Sequence, residues 1–231
     1  MPSRMNPRNR LQAVVFDLDG LLLNTEELYQ LVGTELLGRR GKAFEPDLLN
    51  AIMGRPPSVS LQMMIDWHGL DCSVNDLATE TEQIFARILD EQLELMPGAA
   101  ELLAALESAG IRKAIATSSG RRFVENVLSR FDLQRRFEFI LTCEDIVEGK
   151  PNPEIYLKAA ARFGCPPEHV LVLEDSQNGC RAAVAAGVFV VAVPGGHSRQ
   201  HTFTGARLVA NTLADPRIYS ALGIADSRQA R

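Results

Sequence analysis

Residues 12–20, QAVVFDLDG, decide how this chain is read. The run Ala13-Val14-Val15-Phe16 is small, β-branched and aromatic, which suits a strand buried on both faces. It ends in Asp17, Leu18, Asp19 and Gly20, so two carboxylates stand where the strand gives way to a turn. Similar runs follow at 113–119 (KAIATSS), 137–142 (FEFILT), 169–175 (HVLVLED) and 188–193 (VFVVAV), with a weaker one at 207–211 (RLVAN). Helical stretches alternate with them at 97–110, 120–133, 152–164 and 176–187. The first of these has Pro at its start and Gly at its end, the expected asymmetry of a helix.

This alternation predicts an α/β fold, a doubly wound Rossmann-like parallel sheet. One segment interrupts it. Residues 24–95 hold no strand signal, and 28–40, 46–54, 57–69 and 74–93 all read as helices. A βα connection takes only about 2–6 residues, so the stretch reads as an inserted helical subdomain. The expected division is a discontinuous core at 11–23 and 96–215, a helical cap at 24–95, and flexible tails at 1–10 and 225–231. Trp67, Met63 and Met64 stand at helical spacing among apolar neighbours and read as the core of that subdomain.

Composition excludes several classes. Of the 231 residues, 46% are hydrophobic and 23% charged, enough apolar surface for a core. The net charge of −5 argues against a broad nucleic-acid surface. It leaves room for a small anion at a local positive site. No apolar run approaches the ~18–20 residues of a membrane span. Cys72, Cys143, Cys165 and Cys180 form no Cys-x-x-Cys pair, so they read as reduced thiols of a cytoplasmic protein, with Cys180 buried on the sheet. His68, His169, His197 and His201 fit no triad or metal spacing and read as surface or loop residues. The charge permits a monomer or weak dimer.

The chemistry collects at strand ends. Asp17 and Asp19 close the first strand, Thr117 and Ser118 the second, Glu174 and Asp175 the fourth. Open α/β sheets bind ligands outside the carboxyl ends of their strands, so these residues are expected in one crevice, within reach of Lys150 in GKPNP. Clustered carboxylates repel one another, and oxygen ligands suit Mg²⁺. The Thr117 hydroxyl and the N–H groups of Ser118 and Ser119, before a helix, suit an oxyanion. Metal, lysine and oxyanion cradle describe a phosphate site. Asp17 can attack phosphorus in line, and Asp19 can protonate the leaving oxygen and then deprotonate water.

Four stretches carry a family resemblance: Phe16-Asp17-Leu18-Asp19-Gly20-Leu21, Ala116-Thr117-Ser118-Ser119-Gly120, Gly149-Lys150-Pro151-Asn152-Pro153 and Leu173-Glu174-Asp175-Ser176. In that order they resemble the motifs of the haloacid dehalogenase superfamily, over roughly residues 11–200. The helical insert resembles the C1 cap of the β-phosphoglucomutase-like branch, near its sugar-, polyol- and nucleoside-phosphate phosphatases. The resemblance implies a Mg²⁺-dependent phosphatase of a small phosphorylated metabolite, working through an aspartyl-phosphate. It implies Asp17 as nucleophile, Asp19 as acid/base, and Thr117, Ser118 and Lys150 around the phosphate. It implies Asp175 as a metal ligand beside the Asp17 carboxylate and the Asp19 carbonyl, with Glu174 in support. Tyr29, Gly54 and Arg55 are the candidate specificity residues of the cap. The alternatives are a phosphomutase and a non-catalytic binding protein on the same fold. The family's mutases use a cap histidine and a cap arginine; those positions fall near Tyr29 and Pro57 here, and Arg55 lies two residues from the latter.

Overall fold

A computed structural model describes residues 11–52 and 57–225. The candidates Gly54 and Arg55 lie outside the described residues, as do 1–10 and 226–231 of the expected tails. The chain divides into two compact units. One takes the chain up to Leu23 and from Leu95 onward; the other is Asn24–Glu94.

The strands are β1 (Ala13–Phe16), β2 (Arg112–Ala116), β3 (Phe139–Leu141), β4 (Val170–Glu174), β5 (Phe189–Ala192) and β6 (Leu208–Val209). The helices of the helical unit are α1 (Thr25–Gly38), α2 (Pro46–Ile52), α3 (Pro57–His68) and α4 (Val74–Gln92). Those of the sheet unit are α5 (Ala99–Ser108), α6 (Arg121–Ser129), α7 (Glu154–Phe163), α8 (Gln177–Ala185) and α9 (Pro216–Leu222).

The sheet has the order β3-β2-β1-β4-β5-β6, and every neighbouring pair is parallel. All four residues of β1 have no exposed surface, as the unbroken apolar run requires. Ala13 and Val15 face one side, where they join Ile155, Tyr156 and Ala159 of α7 and Cys180, Ala182 and Ala183 of α8 in one cluster. Val14 and Phe16 therefore face the other side, and Phe16 meets the edge of the Phe137 ring at 5.9 Å. Strand order reverses on either side of β1, so the crevice for a ligand opens at its carboxyl end. The core also runs past residue 215, where the sequence reading ends it. Asp215 caps α9 by accepting from the Arg217 N–H, Pro216 begins the helix, and Ile218, Tyr219 and Leu222 are buried.

In the helical unit, Ser73 and Asp76 form a reciprocal capping box at the start of α4. Leu28, Val32, Leu36 and Leu37 of α1 are buried, as are Leu77, Ile84, Ile88 and Leu89 of α4. Arg39 and Arg40 of the α1 end both pair with Glu80, and Arg87 pairs with Glu35. The Asn24 side chain ties the ends of this unit together: its amide donates to the Gln92 carbonyl and accepts from the Glu94 N–H, both at 2.9 Å.

Two expectations change here. The inward stripe of α3 runs Leu61, Met64, His68, so Trp67 falls off it and is 50% exposed, with Met63 partly exposed. His68 is correspondingly drawn inward, its side chain 9% exposed and its Nε2 3.3 Å from Glu45. All four cysteines are free, and Cys180 is buried as expected.

Candidate active site

The site grows from the register of the sheet. Phe16 pairs with Ile115 of β2 and Leu173 of β4. One residue further along, Asp17 comes level with Ala116 and Glu174. The Asp17 N–H donates to the Leu173 carbonyl at 3.0 Å, which carries the ladder one step past the strand. The chain then turns. Gly20 has φ of 74°, a conformation costly for residues with a side chain, and its N–H donates to the Leu23 carbonyl at 2.8 Å. That turn sets Asp19 beside the segment after β2.

Lys150 comes from the loop before α7. Its ammonium donates to Asp17 Oδ1 at 2.5 Å, Glu174 Oε1 at 2.7 Å and the Ala116 carbonyl at 3.1 Å. It also lies 5.1 Å from the centre of the Tyr156 ring. Glu174 has no exposed surface, and both of its oxygens are engaged. Oε1 accepts from the Tyr156 hydroxyl at 2.7 Å in addition to Lys150; Oε2 accepts from the Ser176 N–H at 3.1 Å and its hydroxyl at 2.9 Å. Gly179 is the close-approach position: a Cβ there would stand 1.7 Å from Glu174 Oε1.

On the other side of β1, Thr117 is fully buried, and its hydroxyl donates to Asp19 Oδ2 at 3.0 Å. The Ser119 hydroxyl donates to the same oxygen at 2.6 Å, and the Ser119 N–H donates to Thr117 Oγ1 at 3.0 Å. Ser118 is exposed. Among the expected phosphate ligands, Ser119 is thus turned to Asp19 and Thr117. The Glu144 carboxylate caps the start of α6, accepting from the Arg121 N–H at 3.0 and 3.1 Å.

The charges explain the titration of the cluster. Burial raises the Asp17 carboxyl well above its usual range; the Lys150 ammonium opposes this, and Glu174 and Asp19 add to it. Burial would lower Lys150, but Asp17 and Glu174 outweigh it and hold the ammonium well above its usual value. Burial would likewise raise Glu174, yet Lys150 and the donors Tyr156 and Ser176 bring it below the ordinary carboxylate range.

Asp17, Glu174 and Asp175, all buried, offer oxygens within 4.8 Å of one another. Three carboxylates face one ammonium, an excess of negative charge that a hard cation would relieve. The donors are all oxygens, and the residues fit such an ion. Glu174 has both oxygens engaged by Lys150, Tyr156 and Ser176, whereas Lys150 bonds Asp17 at Oδ1, so of these two carboxylates Asp17 is the better suited to ligation.

The structure thus brings together Asp17, Asp19, Thr117, Ser119, Lys150, Glu174 and the adjoining Asp175. Tyr29 belongs to the helical unit, where it is 47% exposed and stacks on Phe85 at 4.8 Å. Tyr156, Ser176 and Gly179 were not singled out by sequence reasoning. The signal for Tyr156 was a hydroxyl on an otherwise apolar face of α7, which must find a partner when buried.

Comparison with known proteins gives the same frame. The model of the family "Haloacid dehalogenase-like hydrolase" matches residues 14–193. The chain is 36% identical over 207 residues to a probable pseudouridine-5'-phosphatase of Drosophila melanogaster, covering 87% of this chain and 89% of that protein. It is 34% identical over 178 residues to a phosphorylated carbohydrates phosphatase of Thermotoga maritima, covering 77% and 82%. A solved structure of a β-phosphoglucomutase candidate from Thermotoga maritima superimposes with a TM-score of 0.76 at 30% identity, over 92% of this chain and 97% of that one. With the family's match running from β1 through β5 and taking in the Asp17 turn and the Lys150 loop, this chain is an enzyme of the haloacid dehalogenase-like hydrolase family.

Proposed function

We propose that the protein is a Mg²⁺-dependent phosphatase of a small phosphorylated metabolite, a sugar, polyol or nucleoside monophosphate. The observation that carries this reading is the pairing of Asp17 with Lys150 at 2.5 Å, beside an Asp19 carboxyl held by two hydroxyls. Asp17 attacks phosphorus, and the bond to the leaving oxygen breaks as Asp19 gives it a proton. An aspartyl-phosphate on Asp17 results. Asp19 then takes a proton from water as the water oxygen bonds phosphorus and the Asp17 oxygen leaves. Lys150 offsets charge on the phosphoryl oxygens, while Thr117 and Ser118 donate to them. Mg²⁺ held by Asp17 and Asp175, with the Asp19 carbonyl, supplies further charge neutralisation when bound. Glu174 serves by fixing Lys150.

We further propose that the unit Asn24–Glu94 acts as a cap that reads the leaving group, with Tyr29, Gly54 and Arg55 as candidates. This unit contains a cavity of about 350 Å³ whose described lining includes Tyr29, Phe44, Leu61 and Met64. Glu26 is the one formally charged residue among that described lining, a poor host for a second phosphate. What favours a phosphatase is the sequence around Tyr29, which holds no histidine where the family's mutases carry theirs. A phosphomutase is supported by the likeness to the β-phosphoglucomutase candidate. Every residue of the proposed chemistry belongs to one chain, so a monomer or weak dimer suffices. Four free thiols suit the cytoplasm, and no helix among the described residues is long and apolar enough to cross a membrane.

The test is a panel of nucleotide, pseudouridine, hexose and polyol phosphates. Mg²⁺-dependent release of inorganic phosphate, abolished by Asp17→Asn, is expected. Turnover retained by Asp17→Asn would overturn the reading; isomerisation of β-glucose 1-phosphate without net release would favour the mutase.

A further inference from the structure

We infer that Ser119 is a positioning residue for Asp19, and that it keeps the carboxyl in place while Thr117 turns to the phosphoryl group. The inference rests on the phosphatase reading, in which Asp19 protonates the leaving oxygen.

Three bonds form a closed triangle. Thr117 Oγ1 donates to Asp19 Oδ2 at 3.0 Å, Ser119 Oγ donates to the same oxygen at 2.6 Å, and the Ser119 N–H donates to Thr117 Oγ1 at 3.0 Å. A hydroxyl has one proton to donate. Thr117 therefore cannot serve Asp19 and a phosphoryl oxygen together. As Thr117 rotates its proton toward phosphate, its oxygen can still accept from the Ser119 N–H, so the backbone of Ser119 stays anchored. The shorter bond, from the Ser119 hydroxyl, then keeps hold of Asp19. Of these two hydroxyl bonds to the acid/base carboxyl, loading the phosphate subsite removes that of Thr117 and leaves that of Ser119.

The consequence falls on one step. The leaving oxygen takes its proton from Asp19 as its bond to phosphorus breaks and the Asp17–phosphorus bond forms. A misoriented Asp19 slows this step most when the departing anion is strongly basic. Phenolate needs the proton more than p-nitrophenolate, and the two esters have nearly the same size and charge.

The experiment compares kcat/KM of Ser119→Ala and wild type on phenyl phosphate and p-nitrophenyl phosphate with saturating Mg²⁺. This constant covers steps up to loss of the leaving group. A general acid contributes about 10²–10⁴-fold. Loss of the Ser119 hydroxyl bond is expected to cost about tenfold more on phenyl phosphate than on p-nitrophenyl phosphate, with Ser119→Thr restoring the wild-type ratio. Equal losses on the two esters, or an unchanged ratio, would overturn the inference while leaving the phosphatase reading intact. Wild type inactive on both esters and on the metabolite panel would overturn the phosphatase reading, and the inference with it. Should Ser119→Ala not fold by circular dichroism, Ser119→Cys, with nearly the same shape and a weak donor, must show the same shift in ratio.

Discussion

Arg40 in the helical unit and Lys150 in the sheet unit each reach a carboxylate at 2.5 Å. Arg40 and its partner Glu80 keep 26% and 21% of their side chains exposed; Lys150 and Asp17 keep 6% and 9%. Equal lengths conceal different energetics. Around Arg40, water competes for both partners, and such pairs are worth about 0–1 kcal/mol. Around Lys150, water is excluded, and Asp17, Glu174, Tyr156 and Ala116 replace it. The pairs of Arg39 and Arg40 with Glu80 and of Arg87 with Glu35 join α1 and its end to α4. The pairs of Lys150 with Asp17 and Glu174 hold charges at the carboxyl ends of β1 and β4 whose ionisation is set by their neighbours.

The most damaging way to probe that difference is Lys150→Met. It leaves Asp17 and Glu174 buried without their cation, so stability is expected to fall by about 3–5 kcal/mol in urea denaturation. Turnover should drop by at least about 10²-fold. A folded variant with near-normal turnover would erase the contrast. Next comes Gly179→Ala. Its Cβ would stand 1.7 Å from Glu174 Oε1, so the carboxylate or α8 must shift. A loss of about 1–3 kcal/mol is expected, together with reduced kcat. In the helical unit, Glu80→Gln removes the carboxylate that Arg39 and Arg40 share, while Arg39 keeps Glu35. Its cost should stay near 1 kcal/mol or below, shrink at 1 M salt, and leave turnover unaltered.

The smallest effect sharpens the rule within the sheet unit. Glu107 is bonded by Arg136, which lowers its carboxyl to about 2 against the pull of burial, with Lys113 helping. A lowered folded value means that the ionised form contributes stability above its ordinary pKa near 4.5, and that this contribution fades between there and about 2. The Glu107 side chain is 40% exposed, so screening keeps the contribution near or below 1 kcal/mol. Thermal melts from pH 6 to 2 should show Glu107→Gln losing less than wild type over that window. An identical pH profile would remove Glu107 from the account.

What could be read in the chain and what could not follow from the same physics. Ala13–Phe16 declared a buried parallel strand because every side chain is apolar, and Asp17 and Asp19 stood out because they end it. Lys150, Thr117 and Glu174 could be placed because parallel strands bring their carboxyl ends together. Other features depended on orientation. Trp67 counts as apolar in any pattern, yet it misses the inward stripe of α3 by one residue. Ser119 stood among phosphate ligands through its N–H, but that N–H donates to Thr117 and its hydroxyl turns to Asp19. Tyr156 was hidden in a helix pattern, since only the fold reveals that its hydroxyl meets Glu174. Helix α9 was missed although Asp215, Pro216 and Gly223 mark its ends, because it follows a short and weak strand.

The central claim is that Asp17 carries the phosphoryl group during turnover. Enzyme quenched in acid during Mg²⁺-dependent turnover and reduced with borohydride should contain homoserine in place of Asp17, detected by peptide mass spectrometry, and none when Mg²⁺ is withheld. An unmodified Asp17 in actively turning-over enzyme, or homoserine at another aspartate, would contradict the account.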